Sequence, residues 1–203
     1  MMRQVAGDAL GDFAAFYKED VEVVSVARPQ PAVSESLSQK LINSRRIAEL
    51  RWVQDTLDRD APSKALPGSI DDDVMEALTE DISEASGLLG TLMDCEQVGV
   101  RLEALHTPMC PRFHADYVPC RMLITLSGAG TEWIANDDVD WTAFADRESM
   151  DPPMQADAEI RQFPTGNWSL LKGGSWSEHF AGVVHRSPHN VGERLLLTLD
   201  PIF

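Results

Sequence analysis

"CPRFHADYVPCRMLITLSG", residues 110–128, sets His114 and Asp116 two positions apart, just ahead of an apolar run that ends at a glycine. A short apolar run closed by Gly128 reads as a buried strand. In extended chain, residues i and i+2 project from one face. A strand reaching back to position 114 would therefore present an imidazole and a carboxylate side by side. Those are two of the three ligands of a 2-His-1-carboxylate facial triad, which leaves positions open on a non-haem iron. Two solvated polar residues at a strand start would look the same, because His-x-Asp alone is a common pattern. Its meaning depends on the rest of the chain.

Downstream, the hydrophobic period is short. "VGVRLEAL" alternates Val98, Val100, Leu102 and Ala104, and "NWSLLKGG", "GVVHRSP" and "ERLLLTLDPIF" are further short apolar segments set apart by Gly, Pro and Asn. Short strands with turn residues between them predict an antiparallel barrel or jelly roll. Upstream, residues 34–60 place Leu37, Leu41, Ile47, Leu50, Val53 and Leu57 at roughly helical spacing. "APSKALPG" (61–68) breaks that pattern, and a second helix follows, with Ser69 and Asp72 resembling a capping box. Ile70, Val74, Leu78, Ile82, Ala85, Leu89 and Leu92 form its apolar stripe.

The expected architecture is α+β, with a mainly helical region 1–96 packed on a jelly roll formed by 97–203, the two making one compact unit. The acidic, proline-interrupted segment 135–159 reads as an insertion loop with a helical turn near Trp141.

Composition narrows the function classes. The 203 residues include 33 acidic and 17 basic side chains, for a net charge of −16. A field of that sign repels phosphate backbones and anionic lipid, so neither nucleic acid nor a membrane is expected as a partner. No stretch approaches the roughly 20 apolar residues of a membrane span. The N-terminal residues lack the apolar core of a signal peptide, and a cytoplasmic protein is expected. Three cysteines, Cys95, Cys110 and Cys120, give neither a disulfide framework nor a C-x-x-C pair. There is no G-x-S-x-G, P-loop or H-E-x-x-H motif.

A third metal ligand is expected from a later strand, and His185 in "GVVHRSPHN" fills that place. Nine residues on, Arg194 opens the last strand, where a guanidinium suits bidentate pairing with a carboxylate. Arg121 either points into the barrel as a second anion anchor or faces outward. Tyr117 either offers its hydroxyl to a bound carboxylate or packs. Cys110 and Cys120, which flank the His-x-Asp, either join a zinc-type site or serve as small hydrophobes.

The ordered series His114-x-Asp116, "GNWSLLKGG", His185 and Arg194 resembles the Fe(II)/2-oxoglutarate-dependent oxygenases, prolyl-hydroxylase-like in layout. The resemblance implies a double-stranded β-helix (a cupin-like jelly roll), with His114, Asp116 and His185 binding iron and Arg194 pairing with the 2-oxoglutarate carboxylate. Over a longer span, "CPRFHADYVPCRMLITLSGAGTEWI", "LLKGGSW" and "VVHRSPHNVGERLLLTLD" are similar to blocks of a bacterial family, the domain of unknown function numbered 1826. That resemblance implies a link to zinc-homeostasis proteins and names no reaction. Two functional expectations follow. One is an oxygenase-like enzyme using Fe(II) and 2-oxoglutarate on a small-molecule or protein substrate that the sequence does not name. The other is a non-catalytic Zn(II)-binding protein of metal homeostasis built on the same barrel.

Overall fold

The computed structural model describes residues 2–28, 31–189 and 192–203. The strands are β1 (Arg3–Gly7), β2 (Val21–Val26), β3 (Glu49–Asp55), β4 (Gln97–Leu105), β5 (Cys120–Ser127), β6 (Glu132–Ile134), β7 (Arg161–Gln162), β8 (Trp168–Lys172), β9 (Val184–Arg186) and β10 (Arg194–Ile202). The α-helices are α1 (Glu35–Ser44), α2 (Ala61–Ala65), α3 (Asp72–Met93) and α4 (Trp141–Ala145), with 3-10 helices at Leu10–Tyr17 and Asn136–Asp138. Seven strands form one sheet in the order β1-β2-β8-β5-β10-β4-β3, antiparallel except for the β1–β2 pair. A smaller sheet has the order β7-β6-β9. The result is an α+β architecture of two sheets, consistent with a double-stranded β-helix.

Strand alternation separates the two faces of the large sheet. Leu195, Leu197 and Leu199 on β10, with Val98, Val100 and Leu102 on β4, pack in the core that contains the helices. Leu196, Leu123 and Leu171 turn the other way, onto Trp133 and Phe163 of the region around the small sheet. α3 lies against β4 and β10 and buries Val74, Leu78, Ile82, Ala85 and Leu89 on one face. Each large aliphatic side chain buried there is worth about 1.5–3 kcal/mol. This leaves the opposite face of β4, β5 and β10 free for the functional site.

The N-terminal region departs from the mainly helical expectation for 1–96, since it supplies β1, β2 and β3 to the large sheet. The clearest difference lies in 34–60. Arg45 takes a left-handed conformation at φ 52° and ends α1, and residues 49–55 then pair with β4. Leu50, Trp52 and Gln54 face inward at a period of two, whereas Val53 is 56% and Leu57 87% exposed. Pairing with β4 thus overrides a helical spacing that the same residues also satisfy. α3 likewise starts later than Ser69: Asp71 is its N-cap, and the Asp71 carboxylate pairs with Lys40 and Arg46. The helical turn expected near Trp141 is α4. Among the described residues, no helix is long and apolar enough to cross a membrane.

One buried carboxylate joins the large sheet to the 135–159 segment. Glu22 on β2 is fully buried, and its two oxygens accept the Asn136 N–H at 3.1 and 3.3 Å. Burial pushes its carboxyl from 4.5 up to about 7, against the lowering effect of the Asn136 N–H and Arg161. The folded state therefore holds this proton more tightly than the unfolded chain. Stability from this group is complete below the unfolded value and is lost as pH rises through the folded one. Glu22→Gln keeps an acceptor without the charge. It is expected to stabilise the protein by about 2 kcal/mol at pH 8 and to be neutral at pH 4, as chemical denaturation at the two pH values would show.

Candidate metal centre

β5 begins at Cys120, so it does not reach the His-x-Asp as the sequence reading required. A single antiparallel bridge to β9 does the work instead. The His114 N–H donates to the His185 carbonyl at 3.0 Å, and the His185 N–H donates to the His114 carbonyl at 2.8 Å. The two imidazoles lie with centroids 4.5 Å apart. Asp116 reaches the same place: its Oδ2 is 3.2 Å from His185 Nε2 and its Oδ1 is 3.9 Å from His114 Nε2. One donor atom from each of the three side chains lies within 4.8 Å of the others.

The second nitrogen of each ring is committed. His114 Nδ1 is 3.0 Å from the Arg112 carbonyl, and His185 Nδ1 is 2.9 Å from the Val183 carbonyl. A carbonyl only accepts, so each Nδ1 carries a hydrogen, which leaves Nε2, on the Asp116 side, as the atom a neutral ring would offer to a metal. Burial and the neighbouring His185 lower the His114 pKa, which favours that neutral ring. Burial alone would raise the Asp116 pKa. Without a metal, a proton on Nε2 of His185 takes the cation's place and donates to the carboxylate, and that charge together with Arg121 and His114 outweighs burial, holding the carboxyl well below its usual range. Two imidazoles aimed through Nε2 at an ionised carboxylate are a donor set suited to a divalent metal.

Two further features fix Asp116. Arg121 Nη1 donates to Asp116 Oδ2 at 2.5 Å, while its Nε and Nη2 hold both oxygens of Asp200 at 2.7 and 2.6 Å. The "KGG" turn supports the backbone. Gly174 N–H donates to the Asp116 carbonyl at 2.7 Å, and Gly173 N–H to that of Pro119 at 3.0 Å. A Cβ on Gly173 would stand 2.0 Å from the Val118 carbonyl oxygen, so only glycine permits this approach.

The three side chains line a cavity of about 190 Å³, together with Arg101, Cys110, Arg121, Leu123, Thr131, Arg186 and Leu196 among others. Behind Thr131 lies Arg194, only 3% exposed. Its Nη2 donates to Thr131 Oγ1 at 3.2 Å, whereas Nε and Nη1 have no partner among the described residues. Burial pulls its pKa down to about 10. A buried guanidinium with two unmet donors costs free energy unless an anion meets them.

Other sequence candidates fall elsewhere. Tyr117 is 86% exposed, because the residue after Asp116 in extended chain turns to the opposite side. Its hydroxyl does not line the cavity. Arg121 points inward, but all three of its hydrogen-bonding nitrogens serve Asp116 and Asp200, so it positions a candidate ligand and is not free to anchor an anion. Cys120 is fully buried in the helix-side core, on the face away from the site, and burial raises its thiol pKa. Cys110 lines the cavity but stands outside the three-residue cluster. Arg186, the residue after His185, is a further cation at the cavity wall. It is buried, donates to Glu132 at 2.7 Å and lies over the Phe113 ring. Sequence reading missed Thr131 and Arg101. Thr131 has no local signal, and Arg101 has only its place among the polar positions of "VGVRLEAL".

Solved structures share this fold. The chain is similar to a dioxygenase for auxin oxidation from Arabidopsis thaliana, solved as a binary complex with 2-oxoglutarate (TM-score 0.63, 10% identity, covering 100% of this chain and 92% of that one). It is similar to the dioxygenase for auxin oxidation in rice (TM-score 0.56, 11% identity, 100% and 83% covered). A third likeness is to a full-length Neurospora crassa protein in complex with alpha-KG and 5-formyluracil (TM-score 0.51, 12% identity, 98% and 84% covered). At these identities the likeness is one of fold. No curated protein matches the chain. The family model for a "Protein of unknown function (DUF1826)" matches residues 7–200, nearly the whole sequence, and the chain belongs to that DUF1826 family.

Proposed function

We propose that this protein is an Fe(II)- and 2-oxoglutarate-dependent oxygenase. The observation that carries the reading is the convergence of His114, Asp116 and His185 on a cavity backed by a buried arginine with two unmet donors. The donor set fits a divalent metal with positions left open. Arg194 and Thr131 fit one carboxylate of a dicarboxylic acid, through two guanidinium N–H groups and a hydroxyl. The fold likeness to dioxygenases, one of them solved with 2-oxoglutarate, supports the same reading. Iron with 2-oxoglutarate would supply the oxidising chemistry, consuming O₂ and releasing succinate and CO₂. The chain's own part is positional. The Arg112 and Val183 carbonyls hold the rings with Nε2 inward, Arg121 holds the Asp116 carboxylate ionised and oriented, and Leu123 and Leu196 keep part of the wall dry.

Anaerobic addition of Fe(II) and 2-oxoglutarate is expected to produce a weak visible absorption band. Arg194→Ala is expected to weaken 2-oxoglutarate binding about ten- to a hundredfold, the cost of losing a charge-assisted pair, with metal affinity unchanged. Arg194→Lys should fall between, since it keeps the charge but not the fork. Tight Zn(II) binding with no band and no 2-oxoglutarate affinity would overturn the oxygenase reading in favour of a non-catalytic protein of zinc homeostasis.

A further inference from the structure

Three guanidiniums line the cavity: Arg101, Arg121 and Arg186. Two are already engaged. Arg121 is held by Asp116 and Asp200, and Arg186 by Glu132. Arg101 differs. Its nearest carboxylate oxygen, Glu103 Oε2, stands 4.0 Å from Nη1, beyond hydrogen-bond reach, and its side chain makes no hydrogen bond among the described residues. The Arg101 side chain is 26% exposed, so it is neither buried nor spread on the surface. Glu103 in turn is buried with Oε2 unpartnered.

The register separates this cation from Arg194. Along the β4–β10 ladder, Arg194 pairs with Leu105, Leu196 with Glu103 and Thr198 with Arg101. Arg101 and Arg194 thus belong to the same face of the sheet, with Glu103 between them. Their backbone positions are about 13 Å apart along the ladder, so they address different ends of the cavity. Apolar side chains, Met109 and Leu196, also line the wall. Arg101 thus sits in a polar cleft with Glu103 as a distant counter-charge and its guanidinium hydrogen bonds unmet among the described residues.

We infer that Arg101 recognises the carboxylate of the primary substrate, a small organic acid with an apolar body. This rests on the oxygenase reading and extends it: Arg194 meets the cosubstrate and Arg101 the molecule to be oxidised. Among anions, a planar carboxylate suits a single guanidinium with unmet hydrogen bonds, whose two forward N–H groups can pair with both oxygens.

Calorimetry on protein loaded with Mn(II) and 2-oxoglutarate tests this. The probes are hexanoate and phenylacetate, their neutral amides hexanamide and phenylacetamide, and hexyl phosphate. The acids are expected to bind, with the amides and the phosphate ester at least about tenfold weaker. Arg101→Gln should lower acid affinity about ten- to a hundredfold, leave amide affinity as it is, and leave 2-oxoglutarate and Mn(II) binding intact. Amides binding as well as acids would overturn the inference, as would loaded wild-type protein that binds none of the acids. Preference for hexyl phosphate would assign Arg101 to a phosphorylated substrate instead. If Arg101→Gln weakens 2-oxoglutarate as much as the acids, Arg101 belongs to the cosubstrate anchor. Wild-type protein that takes up neither Mn(II) nor 2-oxoglutarate overturns the oxygenase reading itself, and this inference with it.

Discussion

Asp116→Ala is expected to lower affinity for Fe(II) or Mn(II) by roughly a hundredfold or more, with the fold retained. Asp116 is the one anionic group in the His114, Asp116, His185 cluster. Without it, two neutral imidazoles remain, and Arg121 Nη1, which now donates to Asp116 Oδ2, is left with no counter-charge at the metal position. A cation facing a cation adds electrostatic repulsion to the lost ligand. The protein should still fold, because Asp200 continues to hold Arg121 through two hydrogen bonds. Asp116→Asn separates the two effects: it keeps an acceptor for Arg121 but removes the charge, and should recover little metal affinity. Mn(II) titration followed by paramagnetic resonance reads the affinity, and circular dichroism reads the fold. Wild-type affinity in Asp116→Ala would remove Asp116 from the site.

The sequence made part of this site legible and hid the rest for physical reasons. His114, Asp116, His185 and Arg194 could be found because each lies in, or a few residues ahead of, an apolar run that is local in sequence. What surrounds them could not. Arg121 finds Asp200 across 79 residues, a pairing set by strand order rather than by any nearby residue. Tyr117 and Cys120 shared the signal of their neighbours, yet lie on the wrong side of the chain. Cys120 is separated from the site by a single alternation, which spacing alone could not settle while the strand start was unknown. β3 was obscured differently. Residues 49–55 fit a helical stripe and a period-two strand equally well, and only the free edge of β4 chooses between them. The same limit hid the parallel pairing of β1 with β2, which joins segments whose contact no local pattern announces. Strand existence was therefore easier to read than strand partnership.

Gly173→Ala is expected to destabilise the protein by about 2–4 kcal/mol and to weaken metal binding in whatever fraction folds. The added Cβ would lie 2.0 Å from the Val118 oxygen and 2.9 Å from its carbonyl carbon, and backbone cannot yield as a side chain tip would. The segment it displaces is the one that carries the carboxylate, since the Asp116 carbonyl accepts from Gly174 N–H and the Val118 carbonyl from Ser175 N–H at 3.2 Å. Movement there would carry Asp116 away from His185, although no ligand has been changed. Gly166→Ala is the matching control. Gly166 has φ +83° and open space around its missing Cβ, so alanine there meets only the left-handed backbone cost of about 1–2 kcal/mol. The site should bind metal as before. Thermal melts paired with Mn(II) titration distinguish the two positions. If Gly173→Ala melts no lower than Gly166→Ala and binds metal normally, the "KGG" turn is a connection only; a lower melt with weaker metal binding makes it the element that positions Asp116.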